Sequence, residues 1–247
     1  MECKLKKSLV IGASMCDNTA KLSVPNIFAL FMDLATEHAV DLDLGAKKLA
    51  EHGVIWVTVR TKVNIYDRPE MTENVICESW PEAPGRIRCN RYYRISSLDG
   101  QVLVDGKTEW AMLDIINNRP YKISDIYPST IEHLEDIVCP EAFARIPENF
   151  EECGEKTLYA VRSTDIDLSQ HMNNAAYVRA IFSAFSCDEL KQNNIKEIDV
   201  SFRTQCYEND DLSIRLREGD GFVDIGVVRE DGKIAVVARV KYKSNFK

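Results

Sequence analysis

The chain repeats itself once, and the repeat constrains its fold more than any other feature. Each half begins with a strand-like segment, Leu5 to Met15 and then Thr157 to Arg162, crosses a short polar stretch and enters one amphipathic helix. In the first helix Ser23 is placed to cap and Pro25 falls in the first turn, where a missing N–H costs nothing. Ile27, Phe28, Phe31, Leu34, Ala35 and His38 then recur at helical spacing. In the second, either Asn173 or Asn174 can cap, and Tyr177, Val178, Ile181, Phe182 and Phe185 form the matching stripe. The strands that follow also correspond. Ile55 to Tyr66 matches Lys196 to Cys206, with Val63 on Val200, Ile65 on Phe202 and Val75 on Leu212. Asp99-Gly100 and Asp231-Gly232 mark a hairpin in each half.

One helix followed by a run of antiparallel strands, twice over, predicts an α+β chain of two units, each with a central helix covered by an antiparallel sheet. Joining the two sheets edge to edge removes two exposed strand edges. The units are predicted over residues 1–127 and 156–247. Residues 128–155 form a linker carrying Pro128, Pro140, Pro147 and several acidic residues, with a short helix expected around Ile131 to Ile137.

Charge and cysteine usage narrow the function. With 31 Lys and Arg against 39 Asp and Glu, the net charge of -8 argues against a nucleic-acid or anionic-membrane binder, which needs a basic surface. The eight cysteines form no CxxC pair and no zinc spacing with histidine, so neither a metal nor a disulfide framework is expected. No apolar stretch approaches the ~20 residues that span a bilayer, and Lys4, Lys6 and Lys7 lead only into Leu9-Val10-Ile11. The expectation is a cytoplasmic protein without membrane insertion.

The densest reactive cluster is Asp165-Ile166-Asp167-Leu168-Ser169-Gln170-His171-Met172-Asn173-Asn174, at the start of the second helix. A carboxylate and an imidazole beside unpaired helix N–H groups, here near Asn173 and Asn174, are the parts that acyl hydrolysis requires. Asp and Asn are also ordinary caps and turn formers. The repeat favours the functional reading: an offset of 149 residues sets Ser14 on Ser163 and Phe28 on Tyr177, with Leu22 opposite His171 and Ala20 opposite Ser169. One copy then carries the polar set and the other a decayed, aliphatic version.

The pattern Asp165-x-Asp167-x-x-x-His171-x-Asn173-Asn174-x-x-Tyr177 resembles the signature of the acyl-acyl carrier protein thioesterases of plant plastids and bacteria. Trp56-x-x-x-Arg60, Arg68-Pro69, Trp80, Gly85, Arg91-x-Tyr93, Trp110-x-x-x-Asp114 and Arg203-x-Gln205-Cys206 follow in that family's order. The resemblance implies a tandem (double) hotdog fold and hydrolysis of the thioester between a fatty acyl chain and acyl carrier protein, releasing free fatty acid in fatty acid biosynthesis. It implies no cofactor, and a homodimer is compatible with it.

By the same resemblance Asp167 and His171 match catalytic positions, and Gln205 or Cys206 matches the downstream one. Two departures stand out. Ser169 replaces an Asn common in the family, and Gln205 replaces a Glu, which leaves Asp167 as the well-placed carboxylate, acting on water or directly on the carbonyl. Ser169 and Gln205 would position water. In a regular strand Val200, Phe202, Thr204 and Cys206 share the apolar face, which favours a structural Cys206 and a site-facing Gln205, unless a bulge or the strand end reverses them.

The family places the acyl chain in the first unit, where Phe28, Phe31, Met32, Trp56 and Val59 are the lining candidates. Acyl carrier protein is acidic, so an acidic enzyme must meet it through a local basic patch. Arg86, Arg88 and Arg94 alternate onto one strand face and are the candidates, with Lys241 and Lys243 as a second pair. The competing readings are an acyl-CoA thioesterase using the same loop and a non-catalytic acyl-binding module.

Overall fold

Elements form where the apolar period changes. The computed structural model describes residues 3–192 and 194–242, so Lys243 lies outside the described residues. The first half runs β1 (Leu5–Val10), α1 (Val24–Asp41), α2 (Ala46–Ala50), β2 (Val54–Ile65), β3 (Asn74–Pro81), β4 (Arg88–Ser97), β5 (Val102–Asp114) and β6 (Arg119–Pro120). The second runs β7 (Glu155–Ala160), α3 (Asn174–Ser183), α4 (Cys187–Gln192), β8 (Ile195–Phe202), β9 (Asp211–Gly219), β10 (Phe222–Arg229) and β11 (Ile234–Tyr242). Ser23 caps α1 by accepting from the Asn26 N–H, with Pro25 in the first turn. Every residue of the predicted stripe on α1 is buried. On α3 the stripe is buried through Phe182, while Phe185 lies beyond the helix end.

Among the described residues the strands make one eleven-stranded sheet in the order β1-β3-β4-β5-β2-β8-β11-β10-β9-β7, with β6 on β5. Read from either edge, the sequence of elements is the same, and α1 and α3 lie side by side on its inner face. This is the tandem hotdog with joined sheets. The seam is short: β2 and β8 pair only from Arg60↔Ser201 to Asn64↔Glu197. Beyond Arg60 a bulge at Thr58/Arg60 shifts β2, and β8 ends at Phe202, so the sheet opens there. Both predicted hairpins form on left-handed glycines, Gly100 (φ 90°) and Gly232 (φ 79°).

The expected helix at Ile131 to Ile137 is absent, and residues 126–154 contain no helix or strand. That stretch is a strap over the outer sheet face. The Trp80 indole N–H donates to the Asp136 carbonyl at 2.7 Å, Val138 packs on Trp80 and Tyr92, and Ile146 and Phe150 pack on Val228 and Val237. An extended strap covers ~3.3 Å per residue against ~1.5 Å for a helix, so only the extended form reaches anchors on both units. No helix of the described residues is long and apolar enough to cross a membrane.

One strap anchor makes stability depend on pH. Asp199 is fully buried, accepts from the Ala144 N–H at 2.6 Å, and its Oδ2 lies 3.7 Å from Lys62 Nζ. Burial pushes its carboxyl up to about 6. An acid whose pKa is higher folded than unfolded stabilises the fold most when protonated, and that contribution is lost as pH rises from about 4 through 6. Asp199→Asn keeps an acceptor for Ala144 and carries no charge. It is expected to exceed the wild type in stability at pH 7.5 by about 1–3 kcal/mol, with the difference shrinking toward pH 4.5. Urea unfolding across that range measures it, and a pH-independent difference would disprove the assignment.

Candidate active site

The loop between β7 and α3 is built around Asp165. This buried carboxylate accepts from the Tyr159 hydroxyl and the Arg162 N–H, each at 3.0 Å, and pairs with Arg179. From that anchor the chain makes a tight turn with Gln170 at φ 62°. The Asp167 N–H donates to the His171 carbonyl (3.1 Å), the Gln170 N–H to the Asp167 carbonyl (3.0 Å), and the Ser169 N–H to Asp167 Oδ1 (2.8 Å). Asp167 is thereby held exposed at the loop tip with His171 four residues on. His171 Nδ1 lies 3.3 Å from the Met172 carbonyl oxygen, and a proton on Nδ1 leaves Nε2 as an acceptor.

Asn173, not Asn174, is the cap of α3. Its Oδ1 accepts from the Ala176 N–H at 2.8 Å and its Nδ2 donates to the Asp165 carbonyl, so its side chain is committed to the turn. Asn174 lines the cavity.

The first unit repeats this loop at an offset of 150 residues, not 149. The caps Ser23 and Asn173, the bridges Cys16↔Leu22 and Ile166↔Met172, and the left-handed Ala20 (φ 58°) and Gln170 all agree on it. His171 therefore stands opposite Lys21, Ser169 opposite Thr19 and Asp167 opposite Asp17. The expected Leu22 and Ala20 counterparts are one residue out, because the apolar anchor that Leu22 matches is Met172, and both are fully buried. The first copy is thus polar rather than aliphatic. What distinguishes it is Arg68, whose guanidinium pairs with the Asp17 carboxylate and, with Thr19, holds it below its usual range despite burial.

Arg68 corresponds to Gln205, 137 residues on. The strand prediction for Lys196 to Cys206 overran, since β8 stops at Phe202 and the chain turns away. The turn is tied down by Tyr177 of α3, whose hydroxyl accepts from the Cys206 N–H (2.8 Å) and donates to the Thr204 carbonyl (3.4 Å). Cys206 is fully buried, and burial pushes its thiol up, away from the thiolate a nucleophile needs. Gln205 is exposed and accepts from the Tyr207 hydroxyl at 3.2 Å.

Asp167, Ser169, His171, Asn174 and Gln205 all line one cavity of about 540 Å³. The rest of its wall comes largely from the first unit, including Met32, Trp56, Val59, Trp110 and Tyr127. The two halves of the repeat thus share one chamber, with polar groups from the second and an apolar wall from the first. Of the predicted lining residues, Met32, Trp56 and Val59 are there. Phe28 and Phe31 are not: both are buried in the core, and Phe31 stacks on Tyr93 with ring centroids 4.3 Å apart. Tyr177, Arg203 and Thr204 join the wall without having been expected to; Tyr177 had a signal, since it sits one turn after the cap.

The predicted arginine face is divided. Arg88 and Arg94 point outward from β4, but Arg86 precedes the strand and Arg94 is paired with Asp136 of the strap. Arg86 and Arg88 are exposed.

A double hotdog with one polar loop opening into a shared apolar chamber defines a class of tandem-unit proteins. The match is specific. The acyl-ACP thioesterase N-terminal domain matches residues 2–131 and the acyl-ACP thioesterase C-terminal domain residues 149–244, so this chain belongs to the acyl-ACP thioesterase family. The oleoyl-acyl carrier protein thioesterase 1, chloroplastic, of Arabidopsis thaliana is 23% identical over 83% of this chain and 61% of its own length. The palmitoyl-acyl carrier protein thioesterase, chloroplastic, of Gossypium hirsutum is 22% identical over 81% of this chain and 50% of its own. The chain therefore spans only about half to three-fifths of these relatives. In fold it is similar to an acyl-ACP thioesterase from Bacteroides thetaiotaomicron, with TM-score 0.89 at 20% identity over 97% of this chain and 98% of that one. It is similar also to the 12:0-ACP thioesterase from Umbellularia californica, with TM-score 0.80 at 16% identity over 98% of each chain.

Proposed function

We propose that this protein hydrolyses the thioester of fatty acyl-acyl carrier protein to free fatty acid and carrier protein, in fatty acid biosynthesis. The observation that carries the reading is that Asp167 and His171 of the loop before α3 and Gln205 of the turn after β8 line one chamber whose apolar wall comes largely from the first unit. An acyl chain lies along Met32, Trp56 and Val59, with its thioester at the Asp167 loop. Asp167 activates a water, or attacks the carbonyl itself to give an anhydride that water opens. His171 and Gln205 orient that water, with Ser169 beside them, and the N–H groups that open α3 at Asn174 receive the developing oxyanion. The C–S bond breaks as the tetrahedral intermediate collapses: to the free acid when water attacks, its proton passing to Asp167 and on to the thiolate, or to the anhydride, before water enters, when Asp167 attacks. A thiol of pKa ~8.5 leaves as thiolate with little acid assistance. Docking of the acidic carrier protein falls to the Arg86 and Arg88 end of the arginine face. A cytoplasmic, reducing setting belongs to the same reading, since Cys77, Cys89, Cys139 and Cys206 are packed as core thiols.

Thiol release tests it. With one acyl group presented on carrier protein and on CoA, kcat/KM is expected to be at least ~10-fold higher on carrier protein. Equal values would assign an acyl-CoA thioesterase. Tight acyl binding without turnover would assign a binding module.

A further inference from the structure

Where the seam between the two units opens, the outer face of the sheet carries a depression lined by Val59, Arg60, Arg88 and Arg203 from the sheet side and by Arg145 of the strap. Four guanidinium groups converge there on a chain of net charge -8. They are served by two carboxylates. Glu109 is shared between Arg60 (2.9 Å) and Arg88 (2.7 Å), and Glu148 pairs with Arg203 at 2.6 Å. Arg145 stands exposed on the strap. The cluster is therefore left with a surplus of positive charge, and three of its arginines are held before any ligand arrives: Arg60 lies over the Phe143 ring at 4.2 Å, Glu109 ties Arg60 to Arg88, and Glu148 holds Arg203.

The position matters as much as the charge. Val59 and Arg203 line both this depression and the inner chamber. They flank the gap left where the bulge shifts β2 and β8 ends. The depression therefore adjoins the chamber that the Asp167 loop lines, on the side from which the thiol arm of a thioester at that loop would leave.

We propose that this depression binds the phosphate of a phosphopantetheine arm, with Arg88, Arg145 and Arg203 as its donors and the strap supplying one of them. Guanidinium forks match phosphate oxygens two at a time, and four arginines against two carboxylates leave a surplus of about two positive charges, of which a phosphodiester offsets one. The proposal rests on the thioesterase reading above and adds to it the group by which the arm is recognised.

The test compares acyl-4'-phosphopantetheine with acyl-pantetheine, which differ only in the phosphate. For the wild type the KM of the phosphorylated thioester is expected to be about 10-fold lower, a gap that narrows with added salt. In an Arg88→Ser/Arg145→Ser double variant the ratio of the two KM values should fall to about 1. A wild-type ratio near 1, or a ratio unmoved by the substitutions, overturns the proposal. So does a variant that loses affinity for acyl-carrier protein yet keeps the wild-type ratio on the free thioesters, because the arginines then meet the protein surface. If no thioester is turned over, the thioesterase reading fails while the phosphate site is still decided by calorimetry. Tighter binding of 4'-phosphopantetheine than of pantetheine, lost in the double variant, supports it, and equal binding overturns it.

Discussion

Asp167→Asn is expected to lower kcat for acyl-carrier protein hydrolysis by ~10²–10⁴-fold while leaving the thermal midpoint near that of the wild type. Asparagine retains an acceptor for the Ser169 N–H, which Asp167 Oδ1 now holds at 2.8 Å, so the turn survives and only the carboxylate is lost. The molecule contains its own control. Asp17 sits on the same turn of the first unit, with the same bond to the N–H two residues on, at 2.9 Å. Its carboxylate is paired with the half-buried Arg68, which holds it in the turn of the first unit. Asp17→Asn should therefore leave kcat within about twofold and register mainly in stability, since its ion pair is structural. Equal losses from the two substitutions would mean that the turn, and not the Asp167 carboxylate, is being measured. Undiminished turnover in Asp167→Asn would remove Asp167 from the mechanism.

Gly106→Val should unfold the protein or cost ~4 kcal/mol or more. Gly106 lies in the middle of β5, paired with Tyr93 and Val63, and α1 comes down on it. A Cβ there would sit 2.6 Å from both the Lys62 carbonyl oxygen and Phe31 Cε2. The first contact is with backbone and cannot be relieved by a rotamer change. The second drives Phe31 off Tyr93, with which it is stacked at an interplanar angle of 7°. Gly106→Ala is the gentler variant, with an expected loss of ~1–3 kcal/mol. Phe31→Leu should restore part of it in the double variant, since contacting residues couple. Urea midpoints of the four proteins test this. A neutral Gly106→Ala would show that the helix has room to move away.

Local chemistry made much of this architecture legible. The first helical stripe, the second as far as Phe182, the Ser23 cap with Pro25 and the two Asp-Gly hairpins depend on neighbours within a few residues, and each formed where the spacing placed it. The loop register failed by one residue for an equally local reason. Its polar positions carry no period, so matching Phe28 to Tyr177 fixed the wrong phase, and only the fold's hydrogen bonds gave Ser23 and Asn173 as equivalents. The alternation argument for Gln205 and Cys206 assumed a strand that had already ended, although it sorted the two side chains correctly: Cys206 is buried and Gln205 lines the chamber. Phe28 and Phe31 were misplaced because an apolar helix residue facing a core and one facing a cavity look the same in a sequence.

The sequence by itself determined that there are two units, where the first helix begins, and which loop brings Asp167 and His171 together. Those are consequences of short-range periodicity and of residue chemistry. Only the tertiary structure decided that the loop of one unit faces the apolar wall of the other, that Arg68 pairs with Asp17 while Gln205 stands at the matching place near Asp167, and that the strap and the open seam gather Arg60, Arg88, Arg145 and Arg203. Each of these joins side chains tens of residues or more apart. Such pairings are set by sheet register and strand ends, which no local pattern encodes.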